Sequence, residues 1–287
     1  MLIKERDTAI ELQVLHALSG RMGFSPKMKR QLWNSRTGQD GEAAFDALGI
    51  GVDECTVRLN DLTLVVDGKI CQLDAVYICD GVVYLFEIKN WNGSFDLVHG
   101  GFTGLASCPL MQLKRSQLLL EKWLQVMQFS VPVKAQLIFI GANVGLYGLR
   151  RDDPILLAHQ IPGFLEDIRK RSGPFLRKSD VHLGQQLAES HVTDNPYRQL
   201  AEYCVADVTS GILCKKCRFK MIVCNARMLS CTNCGVREFK KVGLHRAIRE
   251  LDVLFPPQTQ RVNQIYNWCN GMVSRSLIHK HLQETKK

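Results

Sequence analysis

The sequence predicts an α/β fold, a mixed β-sheet flanked by helices, followed by a small zinc-ribbon and helical C-terminal domain. Three observations carry this. Runs rich in β-branched residues alternate with turn signals between residues 55 and 89. Helical patterns lie on both sides of those runs and single strands follow, which suits one layered core. Farther on, Cys214, Cys217, Cys231 and Cys234 form two C-x-x-C pairs with 13 residues between them.

Residues 1 to about 35 carry Ile10, Leu12, Val14, Leu15 and Leu18 and predict helix. Lys4, Glu5, Arg6 and Asp7 have no apolar run behind them, unlike a secretory leader. In TGQDGEAAFDALGIG, Gly38 and Gly41 predict a turn and residues 42–48 a short helix. Residues 55–66, 70–79 and 82–89 read as three strands. The glycines of WNGSFDLVHGGFTG mark turns and short extended pieces. Residues 110–127, with Leu113, Leu118, Leu120, Trp123, Leu124 and Met127, read as a helix. Residues 135–144 read as a buried strand and PILLAHQ as another, before helices at 163–172 and 180–191 and a linker at Asp194, Asn195 and Pro196. The linear organisation is then an N-terminal helical arm (1–37), a main domain (38–172), a helical linker (173–205), a ribbon (206–241) and a helical segment (242–287).

With 287 residues, 46% of them hydrophobic, the chain can bury one main core and a smaller one. No apolar run approaches the ~20 residues that cross a bilayer, so no membrane partner is expected and the cytoplasm is the default location. The net charge of +9 is uneven: 22 Lys+Arg face 22 Asp+Glu over residues 1–200, and 15 face 6 over 201–287. A neutral body with a basic tail suits a polyanionic partner held by the tail; ordinary solubility charge is the bland alternative. Seven cysteines (Cys55, Cys71, Cys79, Cys108, Cys204, Cys224, Cys269) sit among apolar neighbours and read as small core residues.

Asp80-Gly81 is a strong two-residue hairpin signal. With Cys79 opposite Val82, Asp74 falls opposite Glu87 and Gln72 opposite Lys89, all four on one face. Adjacent carboxylates repel, so something positive should offset them. A hard divalent cation suits carboxylate oxygens; Lys89 alone could serve instead, in a buried ion network. With a cation, phosphodiester hydrolysis is the fitting chemistry, Lys89 stabilising charge on the phosphate. A merely solvated edge hairpin is the structural alternative.

The pieces GQDGEAAFDAL, CQLDAVYI, FEIKNWNGSF and CPLMQLKRSQLLLEKWL, in this order, resemble the nuclease-related (NERD) domain, a branch of the PD-(D/E)xK nuclease superfamily. The resemblance implies a restriction-endonuclease-like core. It implies that Glu42, Asp74, Glu87 and the main-chain carbonyl of Ile88 surround Mg²⁺ or Mn²⁺, with Lys89 as catalytic lysine and Gln112 on the later helix. The proline of the superfamily's "PD" is replaced by Leu73. The expected activity is a metal-dependent DNA nuclease, a phosphodiester hydrolase. The alternative is a non-catalytic nucleic-acid-binding or regulatory protein that keeps the fold. Trp91 either stacks on a base or packs at the strand end; Lys114 and Arg115 either touch phosphates or line a solvated helix face.

Four thiolates at C-x-x-C spacing suit structural Zn²⁺, two redox disulfides being the alternative. Lys215, Lys216, Arg218, Lys220, Lys240 and Lys241 crowd around them and suit phosphate contacts. Beyond a helix at 245–254 and Pro256-Pro257, RVNQIYNWCNGMVSRSLIHKHLQE reads as helix, Asn-Gly turn and helix, with Ser274 as N-cap. The pair is either a helix-turn-helix presenting Arg275, Ser276, His279 and Lys280 or a plain hairpin capping the ribbon. His245 reads as a helix-surface residue.

Overall fold

A computed structural model describes residues 1–98, 101–103, 105, 107–173, 175–193, 200–255 and 261–284. Its elements run β1 (Leu2–Lys4), α1 (Ile10–Leu18), α2 (Pro26–Gly49), β2 (Val57–Val66), β3 (Lys69–Cys79), β4 (Val82–Lys89), β5 (Gly93–Val98), β6 (Gly101–Phe102), α3 (Pro109–Val126), β7 (Val133–Phe139), β8 (Val144–Tyr147) and β9 (Ile155–Leu157). There follow α4 (Ile161–Arg171), α5 (Lys178–Glu189), β10 (Met221–Val223), β11 (Met228–Cys231), β12 (Arg237–Phe239), α6 (Lys240–Leu254), α7 (Val262–Trp268) and α8 (Arg275–Glu284). Contacts divide the chain into two units, each discontinuous in sequence: Met1–Asp7 with Arg36–Tyr197, and Thr8–Ser35 with Arg198–Lys287.

The first unit is built on a six-stranded mixed sheet of order β1-β2-β3-β4-β7-β9. β2, β3 and β4 form an antiparallel meander, while β7 and β9 add in parallel to β4. One face carries α3 and α5, whose Leu113, Leu120, Trp123, Leu124, Leu183 and Leu187 share a core with Val57, Leu59, Leu85 and Leu137. The other face carries the second half of α2 and α4, with Phe45, Tyr77, Phe86, Ile138 and Leu165. Phe45 is fully buried and its ring lies 5.0 Å from that of Phe86; such burial contributes about 2–3 kcal/mol. The α/β architecture and the three central strands are as the sequence predicts, and Cys79 pairs with Val82 as the Asp80-Gly81 turn requires.

Two local expectations are overturned. Residues 1–35 are not helical throughout: Leu2–Lys4 is a strand parallel to β2, so backbone pairing overrides the helical pattern there. Gly38 and Gly41 make no turn, and one helix runs from Pro26 to Gly49. Gly41 serves a close approach instead: a Cβ there would stand 2.4 Å from Asn90 Cβ and 3.0 Å from Ile140, which brings α2 onto the end of β4.

A local irregularity in the sheet decides where the site lies. Core-facing residues of β2 are Val57 and Leu59, then Leu62 and Leu64; those of β3 are Cys71 and Leu73, then Val76 and Ile78. The alternation resets on both strands at Asp61 and Asp74, where the ladder skips one pair. Asp61 adopts a φ of 52° there. The same point ends the pairing of β3 with β4, whose last pair is Ala75 with Phe86.

The second unit packs α1, α6, α7 and α8 against a three-stranded antiparallel sheet of order β10-β11-β12. At its centre the guanidinium of Arg21 donates to Glu250 at 2.5 Å and stacks 4.1 Å from the Trp268 ring. Arg218 donates to the other oxygen of Glu250 at 2.5 Å. The α7–α8 turn follows the sequence: Asn270 and Gly271 both have positive φ, and Ser274 Oγ accepts from the Leu277 N–H at 3.3 Å. The proposed linker at Asp194, Asn195 and Pro196 and the Pro256-Pro257 break lie outside the described residues.

Candidate functional site

Asp74 leaves the β3–β4 ladder one pair before Glu87, so its carboxylate, not a main-chain carbonyl, accepts the Ile88 N–H at 2.8 Å. Glu87 points to the α3 side of β4 and is buried. Lys89, two residues on and on the same face, donates to Glu87 Oε1 at 2.6 Å and to Gln112 Oε1 of α3 at 3.2 Å. Glu42 comes from α2. It accepts from Arg6 Nη1 at 2.9 Å, while Arg6 grips Asp46, one helical turn on, through Nε at 2.8 Å and Nη2 at 3.0 Å. Arg6 Nη2 also donates to the Asp74 carbonyl at 2.7 Å. Five elements or segments thus converge at the point where the sheet alternation resets.

The electrostatics are those of crowded acids. Burial, then the charge of Asp74, raises Glu87 to about 7 against the pull of Lys89. Burial and Asp74 likewise raise Glu42 to about 7, opposed by Arg6. Burial raises Asp74 itself, opposed by the Ile88 N–H, Lys89 and Arg6. Each carboxyl is therefore harder to ionise than in water, as expected where like charges share a low-dielectric site. Gln72 does not join this group; it is exposed and donates to Asp61 at 3.0 Å, because the skipped pair rotates it away from Lys89.

The donor chemistry, three carboxylates, suits a hard divalent ion. The three do not lie within 4.8 Å of one another; among the described residues, that degree of convergence is reached by Cys214, Cys217, Cys231 and Cys234. The chain's own cations, Arg6 and Lys89, are spread among the acids instead. Sequence reasoning missed Arg6 and Asp46. The Glu42–Asp46 spacing on one helix face was a usable signal for Asp46, but nothing in the N-terminal segment marked Arg6.

The four cysteines are free thiols. Sulfur separations of 3.5 Å join Cys214 to Cys234, and Cys217 to both Cys231 and Cys234. Tetrahedral zinc with Zn–S near 2.3 Å sets sulfurs about 3.8 Å apart, so these residues can bind a metal such as zinc. Hydrogen bonds from Asn233 and the Phe219 N–H pull the Cys217 thiol down to about 6, while the neighbouring sulfurs of Cys217, Cys214 and Cys231 push Cys234 up to about 12.

Of the basic residues, Lys215, Lys216, Lys220 and Lys241 are exposed and Lys240 partly so; Lys241 pairs with Glu284 at 2.8 Å. Arg218 is a correction. Its side chain is 11% exposed and donates to Glu250 and to the carbonyls of Ala17 and Ser19, so it braces the unit and offers nothing to a phosphate. Trp91 packs against Phe95, Phe102 and Phe139, the packing alternative. Lys114, Arg115, His245, Arg275, Ser276, His279 and Lys280 are all exposed. Cys55, Cys71, Cys79 and Cys269 are buried as expected, but Cys204 and Cys224 are exposed: Cys224 stands beyond the end of β10, where its apolar neighbours are themselves in the open.

Compared with protein families, residues 37–140 match the nuclease-related domain. Comparison with curated proteins and with solved structures finds no match.

Proposed function

From a nuclease-related domain at residues 37–140, we propose a metal-dependent nuclease that hydrolyses phosphodiester bonds in DNA, with the basic cysteine-bearing unit adding nucleic-acid affinity. The observation that carries this reading is the group Glu42, Asp74 and Glu87, each raised in pKa chiefly by burial, beside the Lys89 ammonium. Glu42, Asp74, Glu87 and the Ile88 carbonyl would hold Mg²⁺ or Mn²⁺. When bound, such an ion polarises a phosphodiester oxygen and lowers the pKa of a water.

The chain's own residues supply the rest. Ile88 fixes the Asp74 carboxylate by its N–H. Gln112 holds the Lys89 ammonium at the rim of the site, where it stabilises negative charge developing on a phosphate oxygen. Arg6 keeps Glu42 and Asp46 aimed at the Asp74 strand. Cys214, Cys217, Cys231 and Cys234 would hold Zn²⁺ as a closed structural site. Lys215, Lys216, Lys220, Lys240 and Lys241 would meet phosphates and supply affinity, not sequence choice.

A second reading, nucleic-acid binding without turnover, draws on one observation: Glu42, Asp74 and Glu87 each already have a partner within the chain. Nicking of supercoiled plasmid with Mg²⁺ or Mn²⁺ separates the two. Asp74→Ala and Lys89→Ala are each expected to lower the rate about 100-fold or more. Undiminished nicking in both variants excludes this site, and DNA retention with no cleavage in either metal selects the second reading.

A further inference from the structure

The β10–β12 sheet has two unlike faces. On one, Met221, Leu229, Cys231 and Glu238 are buried, and α6 closes over them: a Cβ at Gly243 would stand 2.8 Å from Leu229 and 3.2 Å from Glu238. On the other, Ile222, Ser230 and Arg237 are in register across the three strands, and Met228 pairs with Phe239 beside them. Lys220, two residues before Ile222 on the same extended run, shares that face. Phe239 is 61% exposed and Ile222 51%, so this face keeps its apolar side chains in solvent.

Charge narrows what can cover it. Between residues 211 and 239 the single acidic residue is Glu238, against Lys215, Lys216, Arg218, Lys220, Arg227 and Arg237. Glu238 points to the covered face, where Arg246 takes it at 3.0 Å. The open face therefore combines an exposed phenyl ring and aliphatic groups with Arg237 and Lys220, and residues 211–239 bring no carboxylate to it.

We propose that this open face of the β10–β12 sheet is a binding platform for single-stranded nucleic acid, with Phe239 as a base-stacking residue and Arg237 and Lys220 as phosphate contacts. Every base has a π-face that can stack on an aromatic ring, and a cationic groove tracks the backbone. In a duplex those π-faces are occupied by neighbouring base pairs. The three strands span about 10 Å, a width for one or two unpaired bases. The proposal rests on the nucleic-acid reading above and deepens it by assigning the strand form and the residues.

The test is fluorescence anisotropy of the full chain with a labelled single-stranded oligonucleotide and with its duplex, at two salt concentrations. The single strand is expected to bind more tightly. Phe239→Ala should weaken that binding about tenfold and leave the salt slope unchanged, since no charge is lost. Phe239→Trp should retain affinity, with its indole fluorescence quenched on binding. Lys215→Ala with Lys216→Ala should instead flatten the salt slope. Thermal melting confirms that each variant is folded. Equal affinity for duplex, or affinity unaltered in Phe239→Ala, overturns the platform while leaving the nuclease reading to plasmid nicking. No binding of either strand form defeats the platform and the nucleic-acid reading of this unit together. A dimer in sedimentation that Phe239→Ala abolishes would assign the face to a second copy of the chain.

Discussion

The two units gather metal-type side chains in opposite ways. In the cysteine unit, two tight turns bring four soft ligands within 4.8 Å of one another. In the nuclease-related unit, Glu42, Asp74 and Glu87 come from a helix and two diverging strands, and Arg6, the Ile88 N–H and Lys89 already engage them. The difference follows from the cost of the empty site. Four cysteines near the surface can sit together without a metal, whereas buried carboxylates cannot remain charged and unpartnered. The first arrangement is ready for an ion; the second has to exchange internal partners for one.

The largest expected effect tests that readiness. Cys231→Ser, or a strong chelator, should abolish the cooperative unfolding transition of the second unit, because metal binding there is folding free energy. A transition that persists in calorimetry would show that the Arg21–Glu250–Arg218 centre suffices. Next, Glu250→Ala strands two buried guanidinium groups and should cost about 3–5 kcal/mol in denaturant titration. Arg6→Gln should cost about 3 kcal/mol in metal-free buffer, with Mn²⁺ restoring part of it. No rescue would mean that Arg6 braces the fold without standing in for an ion.

The units should also diverge with pH. Glu42 and Glu87 have folded pKa values near 7, above their unfolded values, so their contribution is greatest in acid and is lost as pH rises through about 7. Glu250 lies below the usual range because Arg218 and Arg21 outweigh burial. Its contribution is present above the ordinary glutamate pKa and lost as pH falls through its folded value. Metal-free calorimetry from pH 8 to 5 should therefore stabilise the first unit, and further acidification should weaken the second. Smallest of all, Cys224→Ser should shift stability by less than about 0.5 kcal/mol, since that thiol is exposed.

Much of this was legible from local chemistry. Asp80-Gly81 set the register of β3 on β4 down to Ala75 with Phe86, and the C-x-x-C turns placed their sulfurs. The register argument ran one pair too far, because the reset at Asp61 and Asp74 depends on both strands at once and leaves no mark in either alone. Gly41 read as a turn because conformational freedom is visible in a sequence, whereas the proximity of Asn90 is not. Arg218 read as a phosphate contact and Arg6 carried no site reading; their roles arise from partners 36 and 32 residues or more away.

The embrace of Arg21 by Glu250 carries a consequence for synthesis. Residues 8–35 are synthesised well before residues 198–287, the partners that complete their unit. At about 5–20 residues per second, Arg21 waits roughly ten to forty-five seconds for Glu250, 229 residues on, with the apolar side of its stretch unclaimed. Nascent-chain protection by chaperones, and sensitivity to proteases when translation stalls, should concentrate on that segment.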